Sequence, residues 1–185
     1  MPSLFETFKA RAEAVSAEVH RAESVSAARS FILEFLAAEG VADQPYAYAV
    51  SAGGALLGDT HQKTLALAVP GLRFDVTRET AEAAKVGISQ VEWGIAGTGA
   101  LVTDATALER RLVSALPLIH IAILPTAAIL ADMAAVFAQA DPRRIPYLSM
   151  ITGPSRTADI ERVLTIGVHG PARLVIVCVD DMESN

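Results

Sequence analysis

Cysteine is almost missing from this chain: Cys178 is the only one in 185 residues. A single thiol excludes an internal disulfide. It also excludes a chain-borne iron–sulfur cluster held by four thiolates, so no intrinsic cofactor is expected and a reducing, cytoplasmic setting fits. Aromatic residues are scarce as well, 5% against 52% for all hydrophobic types, which predicts an aliphatic core. Positive charge is in deficit: 15 Lys and Arg face 21 Asp and Glu, a formal −6. Nucleic acid, whose phosphates attract clustered cations, is therefore not an expected partner. His20, His61 and His120 are scattered, and no set of Cys, His, Asp and Glu has metal-ligand spacing, so no metal is expected. The opening stretch MPSLFETFKARAEAV mixes acids and bases and lacks an apolar h-region, so no secretory signal is expected.

Charge is absent from residues 112–131, a run long enough to span a bilayer on count alone. Pro117, His120 and Pro125 interrupt it. A buried strand IHIAIL ended by Pro125 explains the run better than a membrane span, and none is expected.

The residues that are present read as one domain over 1–185, with a helical N-terminal segment at 1–40 and an α/β core at 45–180. Apolar spacings of three and four predict a first helix over 4–21 and a second after Ser24, closed near Gly40. Together they make an N-terminal helical hairpin. YAYAV and LRFDV read as strands, TRETAEAAKVG as a helix closed by Gly87, and residues 56–70 fit neither period. After a strand at 99–103, TDATALERRLVSALP offers either a helix, from the Thr106 and Glu109 spacing, or a hairpin. The hairpin is preferred. The last third reads strand, helix, strand, helix, strand through IHIAIL, AAILADMAAVFAQA, IPYLSMI, TADIERVLTIG and ARLVIVCVD. Such near-continuous apolar strands predict an open, mostly parallel wound sheet flanked by helices. Cys178 then falls in the core.

Two glycine turns are the candidate ligand sites. ITGPSRTADIE places Thr152, Gly153, Ser155, Arg156 and Thr157 between a parallel strand's carboxyl end and a helix start, where free amides attract a carboxylate or phosphate. The same residues also read as a plain helix cap, with Asp159 and Glu161 answering the helix dipole. Thr98 and Gly99 form a similar turn, equally explained by backbone geometry alone. Glu92, Asp159, Glu161 and His169 are the catalytic candidates. Arg111 is either an ion-pair partner or an anion clamp.

The run of GIS, IAGTGALV, RLVSALP, ITGPSRTADIE and GVHGP from residue 87 to 179 resembles the lactate utilization branch of the LUD domain family. The long pair ITGPSRTADIE and GVHGP is its specific part. Relatives often carry an acid at the place of Gly97 and a hydroxyl at that of Ala100. The resemblance implies a fold similar to the ribose-phosphate isomerase and CoA-transferase-like class. It implies a role in oxidising L-lactate to pyruvate, as a cluster-free accessory component beside partner proteins that carry the iron–sulfur clusters. Carried over by position, the family pattern falls on Thr98, Gly99, Arg111, Thr152 to Asp159, Glu161, His169 and Gly170. Two other readings stand beside this one: a stand-alone isomerase or acyl-transfer enzyme, suggested by fold analogy, and an assembly module that binds no ligand.

Overall fold

The computed structural model describes all residues except 1, 55, 58, 142, 159–163, 167, 168, 184 and 185, and leaves aside the side chains of 59–61, 63, 157, 158 and 164–166. In chain order it runs through α1 (Leu4–Ala14), β1 (Glu18–Ala22), α2 (Val25–Ala38), β2 (Ala49–Ser51), α3 (Asp59–Ala68) and β3 (Leu72–Arg73). Next come α4 (Arg78–Glu82), β4 (Val86–Gln90), β5 (Trp93–Ile95), β6 (Ala100–Asp104), α5 (Leu108–Ala115) and β7 (Ile119–Pro125). A 3-10 turn, β8 (Ile129–Leu130), α6 (Met133–Gln139), β9 (Leu148–Ile151), β10 (Arg156–Ala158), β11 (Leu164–Ile166) and β12 (Arg173–Val179) complete it.

Six strands in the order β1-β12-β7-β4-β2-β3 form a parallel sheet. Its centre is legible in composition: every residue of β7 is buried, and β12 is buried from Leu174 onward, because helices or a second sheet cover both faces. On one face α2 and α3 deliver Ile32, Leu36 and Leu65 to a core with Ile121, Ile123 and Val177. On the other, Phe5 and Phe8 of α1 pack with Leu124, Ile176 and Cys178 beneath a second sheet, β8-β5-β6-β9. A third, smaller cluster sits under α4 and α5, around Val50, Ala81 and Val113.

Several expectations are corrected, among them the helix over AAILADMAAVFAQA, where a 3-10 turn and β8 precede a helix that starts only at Met133. The N-terminal segment is not a helical hairpin: α1 stops at Ala14, Ser16 takes φ +70°, and residues 18–22 pair with β12 as an edge strand of the main sheet. Strand pairing and the burial of Val19 outweigh a helical spacing that continued only by coincidence. TDATALERRLVSALP is a helix, not a hairpin, although Thr106 does not cap it: the N-cap is Ala107, and the Thr106 amide turns back onto Asp104 Oδ1 at 2.9 Å. IPYLSMI does not join the parallel sheet, since β9 pairs antiparallel with β6. The described part of TADIERVLTIG is no helix, because β10 and β11 pair antiparallel, with Thr157 opposite Thr165. Gly87, expected to close a helix, lies inside β4, where the Val113 carbonyl of α5 occupies the place of a side chain. Residues 59–68 of the ambiguous stretch are α3. Ser24 does cap α2, accepting from the Ala27 amide at 3.1 Å, and α2 ends next to Gly40.

Candidate functional site

The two glycine turns both lie against the end of α1. β6 runs antiparallel to β9 with Leu101 opposite Ile151, so Gly99, just before β6, and Gly153, just after β9, lie at the same end of this ladder. Both adopt left-handed backbone, φ +73° and +69°, a conformation that costs any side-chain-bearing residue. Both also lie hard against α1: a Cβ on Gly99 would collide with the backbone of Arg11 and Ala12, and one on Gly153 with the Val15 carbonyl. Arg156 completes the contact, donating from Nη2 to the Val15 carbonyl and to Ser16 Oγ at 2.9 Å. A guanidinium at a helix C-terminus satisfies carbonyls that the helix leaves open and complements its dipole. Both turns thus pack on the end of α1.

Four backbone amides of these turns have partners within the chain. Thr98 and Gly99 donate to the Ile95 carbonyl at 3.2 and 2.8 Å, Gly97 to Ala131 at 3.0 Å, and Ser155 to Pro171 at 2.8 Å. Thr98 Oγ1 accepts from the Ala100 amide at 3.3 Å, while the Thr98 and Thr152 side chains face solvent. The Ser155 bond joins the two halves of the longest motif, because Pro171 belongs to GVHGP. Gly170 faces Ser155, whose Cβ would lie 3.2 Å from a Cβ placed there. This junction sits at the amino end of β12. The carboxyl-end placement is therefore corrected, because β9 belongs to the antiparallel sheet and no helix begins at Ser155.

Of the other described candidates only His169 lies near this junction; Arg111 stacks on Tyr147, at the other end of the β6–β9 ladder, and Glu92 lines a separate crevice. His169 is exposed beside Gly170 and lines a crevice of about 520 Å³ with Lys85 and Leu118. Arg111 is exposed on α5, its guanidinium 5.2 Å from the centre of the Tyr147 ring. Glu92 lies on a different crevice, of about 280 Å³, next to Trp93 and Gln139. Its carboxylate is occupied: Oε1 accepts from Arg110 Nη1 at 2.7 Å and Oε2 from the Asp104 amide at 2.6 Å. These two bonds fix the carboxylate at the β6–α5 junction and leave lone pairs on both oxygens. Asp159 and Glu161 lie outside the described residues.

Two groups were not legible in the sequence as partners. Arg173, at the start of β12, binds Glu18 of β1 through Nε and Nη2 at 2.8 and 3.1 Å, and Glu39 after α2 through Nη1 at 2.6 Å. Lys85 pairs with the other Glu39 oxygen at 3.1 Å and donates to the Glu39 carbonyl. The Arg173 hydrogen bond, then Lys85, holds the Glu39 carboxyl below its ordinary range, and Glu18 and Glu39 raise Arg173 in turn. Only the fold brings together charges so distant in sequence. The second group is Ser89 Oγ and His120 Nε2, 2.9 Å apart and buried on adjacent strands. Cys178 is buried in β12 as expected, and burial pushes its thiol up to about 12. Among the described residues no group of three His, Cys, Asp or Glu is placed to hold a metal, and no helix is long and apolar enough to cross a membrane.

Residues 5–179 match the family model described as LUD domain. A curated relative named lactate utilization protein C, from Halalkalibacterium halodurans, is 37% identical over 109 residues, 56% of this chain and 47% of its own. Another of that name, from Macrococcus caseolyticus, is 38% identical over 109 residues, 56% of this chain and 47% of its own. An uncharacterized protein of Escherichia coli K12, YkgG, is 39% identical over 107 residues, 55% and 46%. The matches thus span about half the length of these relatives. Among solved structures, a DUF162 family protein from Deinococcus radiodurans superposes with a TM-score of 0.65 over 95% of this chain and 96% of that one, at 19% identity. That likeness shows a shared α/β fold.

Proposed function

The chain belongs to the LUD domain family, and from that premise we propose that it is a component of a cytoplasmic lactate utilization system, acting in the oxidation of L-lactate to pyruvate. The observation that carries the reading is the likeness to proteins named lactate utilization protein C, together with the docking of the family's two most specific motif pieces, ITGPSR and GVHGP, through Ser155 and Pro171. The chain's part is that of a cluster-free accessory component. With one buried thiol it has no ligand set for an iron–sulfur cluster, so electron transfer belongs to cluster-bearing partners. The competing reading, a stand-alone isomerase or acyl-transfer enzyme, is separated from this one by turnover of the isolated chain. A small carboxylate or phosphate arriving at the turns meets the exposed side chains of Thr98 and Thr152, since the Thr98, Gly99 and Ser155 amides are engaged.

Growth tests the pathway. A deletion of this gene in its own host is expected to stop growth on L-lactate as sole carbon source and to leave growth on pyruvate intact. The wild-type chain is expected to restore growth. Purified alone, it is expected not to turn over lactate with an artificial electron acceptor. Undiminished growth of the deletion strain on lactate would remove the pathway assignment, and turnover by the isolated chain would remove accessory status.

A further inference from the structure

The crevice beside His169 has a chemistry of its own. It opens at the amino ends of β4 and β7, between the loop after α4 and the loop after α5, and encloses about 520 Å³. Ala84 and Pro117 are buried in its lining, while Leu118 remains 53% exposed and Tyr46, on the rim, 76% exposed. Isolated apolar residues at a surface carry no message, but several converging on one concavity, with a few fixed polar groups, are the usual make-up of a small-molecule site.

The fixed polar group is Lys85. Its ammonium donates to the Glu39 carbonyl and pairs with Glu39 Oε2 at 3.1 Å, which holds it in place. An ammonium has three N–H donors, so these contacts leave one for a ligand. The charge around it is compensated: Lys85 and Arg173 face Glu18 and Glu39, and Glu82 adds a negative charge on the rim. A doubly charged phosphate finds no net positive field there. A single carboxylate needs only the hydrogen bond, while its affinity comes from the apolar lining.

Volume decides the size of that body. The crevice lies in the range that holds drug-sized ligands, and a three-carbon acid such as lactate leaves most of it to water. The Tyr46 backbone is pinned by its amide to the Ala83 carbonyl at 2.8 Å, with its ring at the rim. A planar face is thus available for a ring to pack on.

We propose that this crevice is a binding site for a monocarboxylic acid with an aryl or similarly bulky apolar body, its carboxylate on Lys85 and its body against Pro117, Leu118 and Tyr46. The site is distinct from the two glycine turns and independent of the lactate pathway assignment.

Titration of the full chain with benzoate, phenylacetate and 4-phenylbutyrate, followed by ligand-observed NMR, tests the proposal. Affinity is expected to rise along that series and to fall about tenfold when 4-phenylbutyrate is replaced by its neutral amide. Lys85→Met is expected to cause a similar loss. Because Lys85 also ties α2 to β4, a second variant, Leu118→Trp, fills the crevice without touching the ion set. It is expected to abolish binding while leaving the thermal midpoint in place. Equal binding of acid and amide, full affinity in Leu118→Trp, or no binding by any of the three acids would overturn the proposal. None of these results alters the outcome of the growth test.

Discussion

His120 sits fully buried on β7, and burial lowers its pKa from 6.5 to about 4. Ser89 holds Nε2, while Nδ1 has no partner among the described residues. Protonation would create a second buried donor with nothing to receive it, and no charged side chain contributes to the shift. The sign of the resulting pH dependence follows. The unfolded chain protonates this ring near 6.5 and the folded chain only near 4, so its contribution is complete above pH 6.5 and is lost as pH falls towards 4. The full difference is worth about 3 kcal/mol, of which about 2 kcal/mol is lost between pH 7.5 and pH 5. Urea unfolding at those two pH values is expected to show that loss in the wild type and to show it largely removed in His120→Gln. An unchanged pH slope in the variant would assign the acid sensitivity to other groups.

Among elements, α1 and the two turns act as one unit. Gly99→Ala and Gly153→Ala each force a side chain into left-handed backbone and into α1, and each is expected to cost about 2–3 kcal/mol. Arg156→Gln, which removes only the cap, is expected to cost less than either. Chemical denaturation gives the order. A ligand role for the turns predicts the reverse pattern, normal stability with lost binding. This unit also marks the limit of what the sequence allowed. The glycines and the ITGPSR–GVHGP pair were visible as special, and so was their adjacency to strands. That the covering group is the chain's own first helix was not, because Arg11, Ala12 and Val15 carry no signal of contact across about 140 residues, the separation of Arg156 from Ser16. Local pattern succeeded where burial on two faces leaves an unbroken apolar run, as in β7 and β12. It failed at β1 and β10, short strands whose state is decided by what they pair with.

For the whole molecule, the Arg173 set ties the amino ends of β1, β12 and β4 to the end of α2. Its members are partly exposed, with Arg173 at 40% and Glu18 at 41% side-chain exposure, so solvent screens much of the attraction. Arg173→Met is accordingly expected to lower stability by about 1–2 kcal/mol, and the loss should shrink in high salt. An unchanged unfolding midpoint at low salt would mean that packing alone holds the strands in register. The placement of β1 beside β12 has a further consequence for biosynthesis. A strand at residues 18–22 has for its parallel neighbour one at 173–179, translated after every other strand of its sheet. Until residues 173–179 have left the ribosome, the early strand waits with an unpaired edge, and it joins the sheet only then. A stop codon before Arg173 would orphan β1 as surely as it would remove β12.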